Sequence, residues 1–189
     1  MPVVASENCP ACWRADRYKG WLSAMAQLVV TSMEMLGPPR GVLPLSPADA
    51  RVAREVPARA DYLALYHAVG DPLQWDDHLK LDDAALDAFL NHPATWIHIL
   101  RVSGRPGGFC EFSGVGGEVV QLTHFGLIPA LQGRGLGPFL LHQALVDVWR
   151  QGTRRIWLET DSYDHPKAIA TYAHAGFRVF NRRTMSVAG

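Results

Sequence analysis

Gln132-Gly133-Arg134-Gly135-Leu136-Gly137 stands between an extended, β-rich run, Val119 to Ile128, and a helix-like run, Phe139 to Arg150. A glycine-rich turn that opens a helix leaves several backbone N–H groups with no partner inside the helix. Those donors, together with the positive end of the helix dipole, bind phosphate oxygens. Arg134 can add a direct phosphate contact, and Pro138 removes one N–H from the set. A phosphorylated ligand is therefore expected here. It is not held by a Walker loop, because no Gly-Lys-Ser or Gly-Lys-Thr is present. Nor is it held by a dinucleotide fingerprint: the third glycine of Gly-x-Gly-x-x-Gly falls on Pro138 or on Leu140, depending on the frame.

A second signal lies downstream, where Ala168-Ile169-Ala170-Thr171-Tyr172-Ala173-His174-Ala175 runs into Gly176-Phe177. Asp164 can cap this helix, and Pro166 suits its first turn. Ile169, Tyr172 and Ala173 are expected on one face, with Gly176 in the left-handed conformation that ends it. Arg155 to Thr160, between the two signals, is a strand candidate. The Gln-x-x-Gly-x-Gly turn and the Tyr-helix before Gly-Phe, in this order and spacing, resemble the GNAT superfamily of acyl-CoA-dependent N-acyltransferases. The run Glu118 to Pro129 resembles an uncharacterised bacterial subgroup of it. The strong resemblance covers Glu118 to Phe180, about a third of the chain. It implies an α+β (mixed α/β) fold with a central, mostly antiparallel sheet splayed between two strands and flanked by helices. It also implies acetyl-CoA as cosubstrate and transfer of its acetyl group to a primary amine of a small molecule by direct attack in a ternary complex. Two alternatives stand beside this: a catalytically inactive CoA-binding module, and an acetyltransferase acting on a protein amine.

The resemblance also carries roles. The backbone of Gly126, Leu127 and Ile128, at the end of the strand before the loop, would orient the thioester. Gln132, Gly133, Arg134, Gly135, Leu136 and Gly137 would hold the pyrophosphate. His165 stands where many relatives have Asn and would cap the helix or touch the cofactor. Tyr172 aligns with the Tyr that commonly protonates the departing thiolate. An alkyl amine with a pKa near ~10 must also lose a proton before it attacks. Many relatives use a Glu where this chain has Gln121, which cannot act as a base. His124, Glu159 and Glu111 remain as candidates, as does water relayed through backbone carbonyls. His124 has the appropriate ordinary pKa. Strand alternation sets it on the face opposite Gln121 unless a bulge intervenes.

Other elements must position these groups. Residues 1–40 form an N-terminal extension, and 41–189 the acyltransferase domain. Trp21 to Leu36 reads as helix then strand; Leu28 to Met35 could add a strand to an exposed edge of its own subunit or of a partner's, giving a possible homodimer. Ala50 to Val56 is a weak strand. Arg59 to Val69 and Asp82 to Leu90 are helices, the latter with Ala85, Leu86 and Phe89 on one side. Thr95 to Val102 and Gly108 to Ser113 are strands. Trp75-Asp76-Asp77-His78, between the two helices, borders the acceptor pocket by resemblance, although exposed turn charges would also account for it.

With 18 basic and 18 acidic residues the chain has no global field for nucleic acid or anionic membrane. Cys9 and Cys12 have C-x-x-C spacing but no second pair, and Cys110 reads as a small buried hydrophobe. His92 and His98 sit in no metal-ligand pattern, so no metal is expected. There is no membrane-spanning segment and no secretory signal, so a cytoplasmic location is expected.

Overall fold

The computed structural model describes residues 26–39 and 48–187. Cys9, Cys12 and the start of the Trp21 to Leu36 run lie outside the described residues. The strands are β1 (Ala26–Met35), β2 (Ala50–Glu55), β3 (Trp96–Val102), β4 (Arg105–Ser113), β5 (Val119–Leu127), β6 (Arg155–Asp161) and β7 (Arg178–Val187). The helices are α1 (Arg59–Gly70), α2 (Asp83–Leu90), α3 (Leu136–Trp149) and α4 (Ala168–Ala175). From β2 onward the order is β-α-α-β-β-β-α-β-α-β, as expected from the resemblance.

The strands form a seven-stranded sheet in the order β2-β3-β4-β5-β6-β1-β7. Its pairings are antiparallel except β5 with β6, which is parallel and extends only from Val119–Gln121 to Arg155–Trp157. Beyond that short ladder β5 continues to Leu127 and β6 to Asp161 without pairing with each other, so the sheet opens into a cleft. The mixed α/β class and the splayed, mostly antiparallel sheet are both present.

The N-terminal strand differs from expectation. It joins no edge but lies between β6 and β7, pairing with both. Leu28, Val30, Thr31, Ser32 and Met33 are all buried, so both faces of this strand are covered over its central part.

Helices α1 and α2 cover one face of the sheet, over Tyr62, Tyr66, Val69, Leu86, Ile97, Ile99 and Phe109. Helix α3 covers the other, over Leu100, Cys110, Phe112, Val120 and Leu122. The alternation of Ile99 and Leu100, and of Phe109 and Cys110, follows from the period of two along a strand. Asp82 caps α2 by accepting the Ala85 N–H at 2.8 Å. The buried side of α2 is Leu86 and Leu90 rather than Ala85, which is exposed. Helix α4 begins later than its capping signals suggest. Asp164 does not cap it, because its carboxylate accepts from the Thr160 hydroxyl (2.7 Å) and the Asp161 N–H (3.1 Å) and so closes the turn after β6. On α4 Tyr172 is buried whereas Ile169 and Ala173 are exposed. Gly176 ends the helix at φ 107°, in the left-handed region.

A bulge in β5 decides the site. Glu111 is opposite His124 but Phe112 is opposite Leu122, so Thr123 is an extra residue in the ladder. Before the bulge Val120 and Leu122 face α3; after it Leu127 and Phe125 do. His124 therefore turns to the α1 side, the same face as Gln121 and Glu111. Gly126 follows it there, and a Cβ at Gly126 would collide with Val69 of α1. We expect Gly126→Ala to lower stability by ~1–3 kcal/mol through overpacking. In a double-mutant cycle by urea denaturation, Val69→Ala should relieve part of that loss; strictly additive losses would show that the two residues do not meet.

Candidate active site

The expected phosphate loop is built as its residues require. Gly133 and Gly135 both have φ 76°. A Cβ at either would meet nothing within 4 Å, so backbone conformation, not space, calls for glycine. Gly135 is the N-cap of α3 and brings no side-chain cap, which leaves the N–H groups of the first turn available to an anion. Gln132 braces the loop by donating its amide to the Leu127 carbonyl at 3.1 Å.

This loop forms one wall of a cleft of about 300 Å³ at the splay between β5 and β6. Gly126, Leu127, Gln132, Gly133, Gly135, Gly137, His165, His124, Glu159 and Tyr172 all line it. Ile128, Arg134 and Leu136 do not. Ile128 packs against the α1-side core, and its N–H donates to the Gly107 carbonyl at 3.0 Å. Leu136 is buried in the α3 core, and Arg134 points outward, exposed. In an antiparallel ladder alternate residues turn their amides toward each neighbour. The Ile128 and Gly126 amides therefore face β4, and the Leu127 amide faces the cleft.

Three expected side chains occupy distinct settings there. Tyr172 is held between Phe125 and Phe177, with ring centroids 5.8 and 6.0 Å away. His165 accepts the Lys167 N–H at Nδ1 (3.2 Å) and so shapes the turn before α4. Glu159 is clamped: Arg183 donates to both carboxylate oxygens, at 2.8 and 2.9 Å, and the Ser32 hydroxyl donates at 2.9 Å.

His124 has the more consequential surroundings. Its Nδ1 donates to Oε1 of Glu111 at 2.9 Å. Glu111 is 0% exposed and also accepts from Tyr62 Oη (2.5 Å), Thr123 Oγ1 (2.6 Å) and His78 Nε2 (3.1 Å). Burial works against the Glu111 carboxylate, but His78 and His124 outweigh it and hold the carboxyl well below its usual range. Burial likewise pushes His124 down, yet Glu111 and Asp77 overcome it and raise the imidazole above its ordinary value. Tyr62 is pushed up, by burial first and then by the Glu111 charge. Because a carboxylate only accepts, the neutral His124 carries its proton on Nδ1 and has its lone pair on Nε2. Nε2 lies 3.4 Å from Tyr66 Oη and 3.6 Å from Asp77 Oδ2.

The Trp75–His78 segment is not a set of exposed turn charges. Trp75 and His78 are buried and Asp76 and Asp77 half-buried. Trp75 packs so closely on Gly70 that a Cβ there would come 2.8 Å from it, and its ring meets His124 edge-on at 4.9 Å. Donor atoms of His78, Glu111 and His124 lie within 4.8 Å of one another and could hold a divalent ion; as hydrogen-bonded here, both imidazoles direct a proton at Glu111. No sequence spacing reveals this cluster, whose members are 33 and 13 residues apart. His98 has a structural setting, joined to Asp147 of α3 at 3.0 Å. Cys110 is a buried free thiol, pushed up by burial.

A model of the Acetyltransferase (GNAT) family matches residues 61–177. The chain belongs to this family. It is 29% identical over 136 residues to the uncharacterised N-acetyltransferase YjgM of Escherichia coli K12, covering 70% of this chain and 75% of that protein. It is 28% identical over 105 residues to an uncharacterised N-acetyltransferase of Mycobacterium tuberculosis H37Rv, covering 56% and 67%. In fold it is similar to a GNAT-family putative acetyltransferase from Novosphingobium aromaticivorans (TM-score 0.59, 18% identity, 84% of this chain and 63% of that one). It is also similar to a GCN5-related N-acetyltransferase from Sphaerobacter thermophilus (TM-score 0.61, 19% identity, 88% and 53%). The chain thus spans about half to just under two thirds of those solved chains. By family it is an acyltransferase, and the family generally uses acetyl-CoA. No helix among the described residues is long and apolar enough to cross a membrane.

The dependence of His124 on its carboxylates is directly measurable. Glu111→Gln and Asp77→Asn should each lower the His124 pKa from its wild-type value in an NMR titration of the histidine ring. A value unchanged in both variants would contradict the coupling.

Proposed function

We propose that the protein is an N-acetyltransferase that moves an acetyl group from acetyl-CoA to a primary amine of a small molecule by direct attack in a ternary complex. The observation that carries this reading is the meeting, in one cleft, of a side-chain-free helix N-terminus with a histidine held by a buried carboxylate. The amides between Gly133 and Gly137 hold the pyrophosphate, with Arg134 adding positive charge from the outer side of the loop. The Leu127 N–H faces the thioester oxygen and stabilises it as it becomes negative. His124 takes the amine proton at Nε2. Glu111 fixes the ring and stabilises the imidazolium that forms, a positioning role. Tyr172 supplies a proton to the departing thiolate. Glu159, neutralised by Arg183, shapes the wall rather than taking the proton. The thioester is already activated, so no covalent enzyme intermediate is needed.

A CoA-binding module without catalysis is the second reading, favoured by Gln121 at the position where many relatives carry the base. Calorimetry and a thiol-release assay separate the two. Acetyl-CoA should bind saturably whereas NADH and ATP should not. His124→Gln should lower kcat by about 10²–10⁴-fold, the usual worth of a general base. Tyr172→Phe should lower kcat while leaving acetyl-CoA affinity intact. Binding with no turnover of any amine would favour the module, and a folded protein that binds neither acetyl-CoA nor CoA would end both readings.

A further inference from the structure

We infer that His78, Glu111 and His124 form a binding site for Zn²⁺, and that filling it switches off acetyl transfer; the second clause rests on the base role proposed for His124. All three residues are buried, and their ligand atoms lie within 4.8 Å of one another. Glu111 Oε1 is 2.9 Å from His124 Nδ1 and 3.1 Å from His78 Nε2. A tetrahedral ion with bonds of ~2.0–2.1 Å holds its ligands about 3.3–3.4 Å apart, so both separations need only a small expansion. His78 stands on the α1–α2 connection rather than in the sheet, where its ring can adjust to complete the set.

Two further observations favour an ion. Glu111 Oε1 accepts from His124, His78 and Thr123 at once, three donors on an oxygen with two lone pairs. An ion takes the place of the two imidazole protons and relieves that crowding. The outer contacts of a metal site are also in place. Thr123 Oγ1 and Tyr62 Oη go on donating to the carboxylate, and His124 Nε2 has Tyr66 Oη at 3.4 Å and Asp77 Oδ2 at 3.6 Å. Two imidazoles and one carboxylate suit Zn²⁺, whereas Mg²⁺ and Ca²⁺ take oxygen ligands. His124 lines the cleft and gives the ion its way in. Neutral His124 carries its proton on Nδ1. When Zn²⁺ takes that nitrogen the proton moves to Nε2. The ring stays neutral, and no lone pair is left for the proton of the amine.

The test uses the full chain without an affinity tag, and ZnCl2. Calorimetry should give a single Zn²⁺ per chain, with MgCl2 and CaCl2 silent. Cys9→Ser/Cys12→Ser should bind Zn²⁺ as the wild type does, which separates this site from capture by the thiol pair. In ¹⁵N NMR of the histidine rings, Zn²⁺ should shift His78 and His124 and move the His124 proton to Nε2, while His92 and His98 stay unchanged. His78→Gln, checked for fold by circular dichroism, should weaken binding by more than about 100-fold, beyond the ~10–100-fold that an outer contact is worth. With an amine that the wild type acetylates, and product read by mass spectrometry, saturating Zn²⁺ should lower kcat about 10²–10⁴-fold, as loss of a base does. EDTA should restore it. No saturable binding, binding lost in the cysteine variant, or shifts at histidines other than His78 and His124 would overturn the site, and the wild-type spectra decide this even where His78→Gln does not fold. Binding at His78 and His124 with undiminished turnover would overturn the switch and the base role of His124 together, while the metal site stands.

Discussion

An ionised carboxylate cut off from water persists only where donors surround it, and Glu111 is such a group. Its donors come from separate parts of the chain: Tyr62 from α1, His78 from the α1–α2 connection, Thr123 from the bulge in β5 and His124 just after it. Each of these elements must be in register for the charge to be satisfied. Losing one partner of a buried ion pair typically costs ~3–5 kcal/mol, because the remaining charge is uncompensated. The same contacts set the His124 ring, its tautomer and its raised pKa. Structural satisfaction and the proposed chemistry thus depend on one carboxylate.

The cleft depends on a second constraint, the early parting of β5 and β6. Past Gln121 and Trp157, β6 keeps its pairing with β1 on its other side, so it stays in the sheet as it parts from β5 and leaves their facing edges open to the cleft. The inserted strand makes β6-β1-β7 a three-stranded unit, where β6 and β7 alone would form the marginal two-stranded kind. Side chains tie the three together. Glu34 of β1 meets Arg155 of β6 at 2.9 Å and Arg178 of β7 at 3.0 Å. Ser32 of β1 and Arg183 of β7 hold Glu159 of β6. The N-terminal segment therefore contributes to the cleft wall although the family model begins only at residue 61.

Local features were readable from residues alone. The positive φ of Gly133, Gly135 and Gly176 explains why glycine stands there, and these glycines carried the expected loop and the end of α4. Features set by pairing between distant strands were not. Nothing near Thr123 in the chain signals a bulge; it appears only in the ladder with β4, and without it His124 is assigned to the wrong face. The β-rich character of Leu28 to Met35 indicated a strand, but its place between β6 and β7 is set by backbone pairing with two strands distant in the chain. Asp164 shows a related limit: a good capping residue near a helix start was taken instead by Thr160 and Asp161. Ile128 was expected to serve the thioester, yet ladder parity commits its amide to Gly107.

The most direct test of the proposed Glu111–His124 unit is the pH dependence of kcat at saturating acetyl-CoA and amine. A base acts when deprotonated, so kcat should rise with pH through an ionisation above the ordinary histidine value of ~6.5. In Glu111→Gln that limb should move to lower pH, because the carboxylate that raises the imidazole pKa is gone, and in His124→Gln it should vanish. An identical limb in His124→Gln and in the wild type would show that another group takes the proton, and would contradict the account.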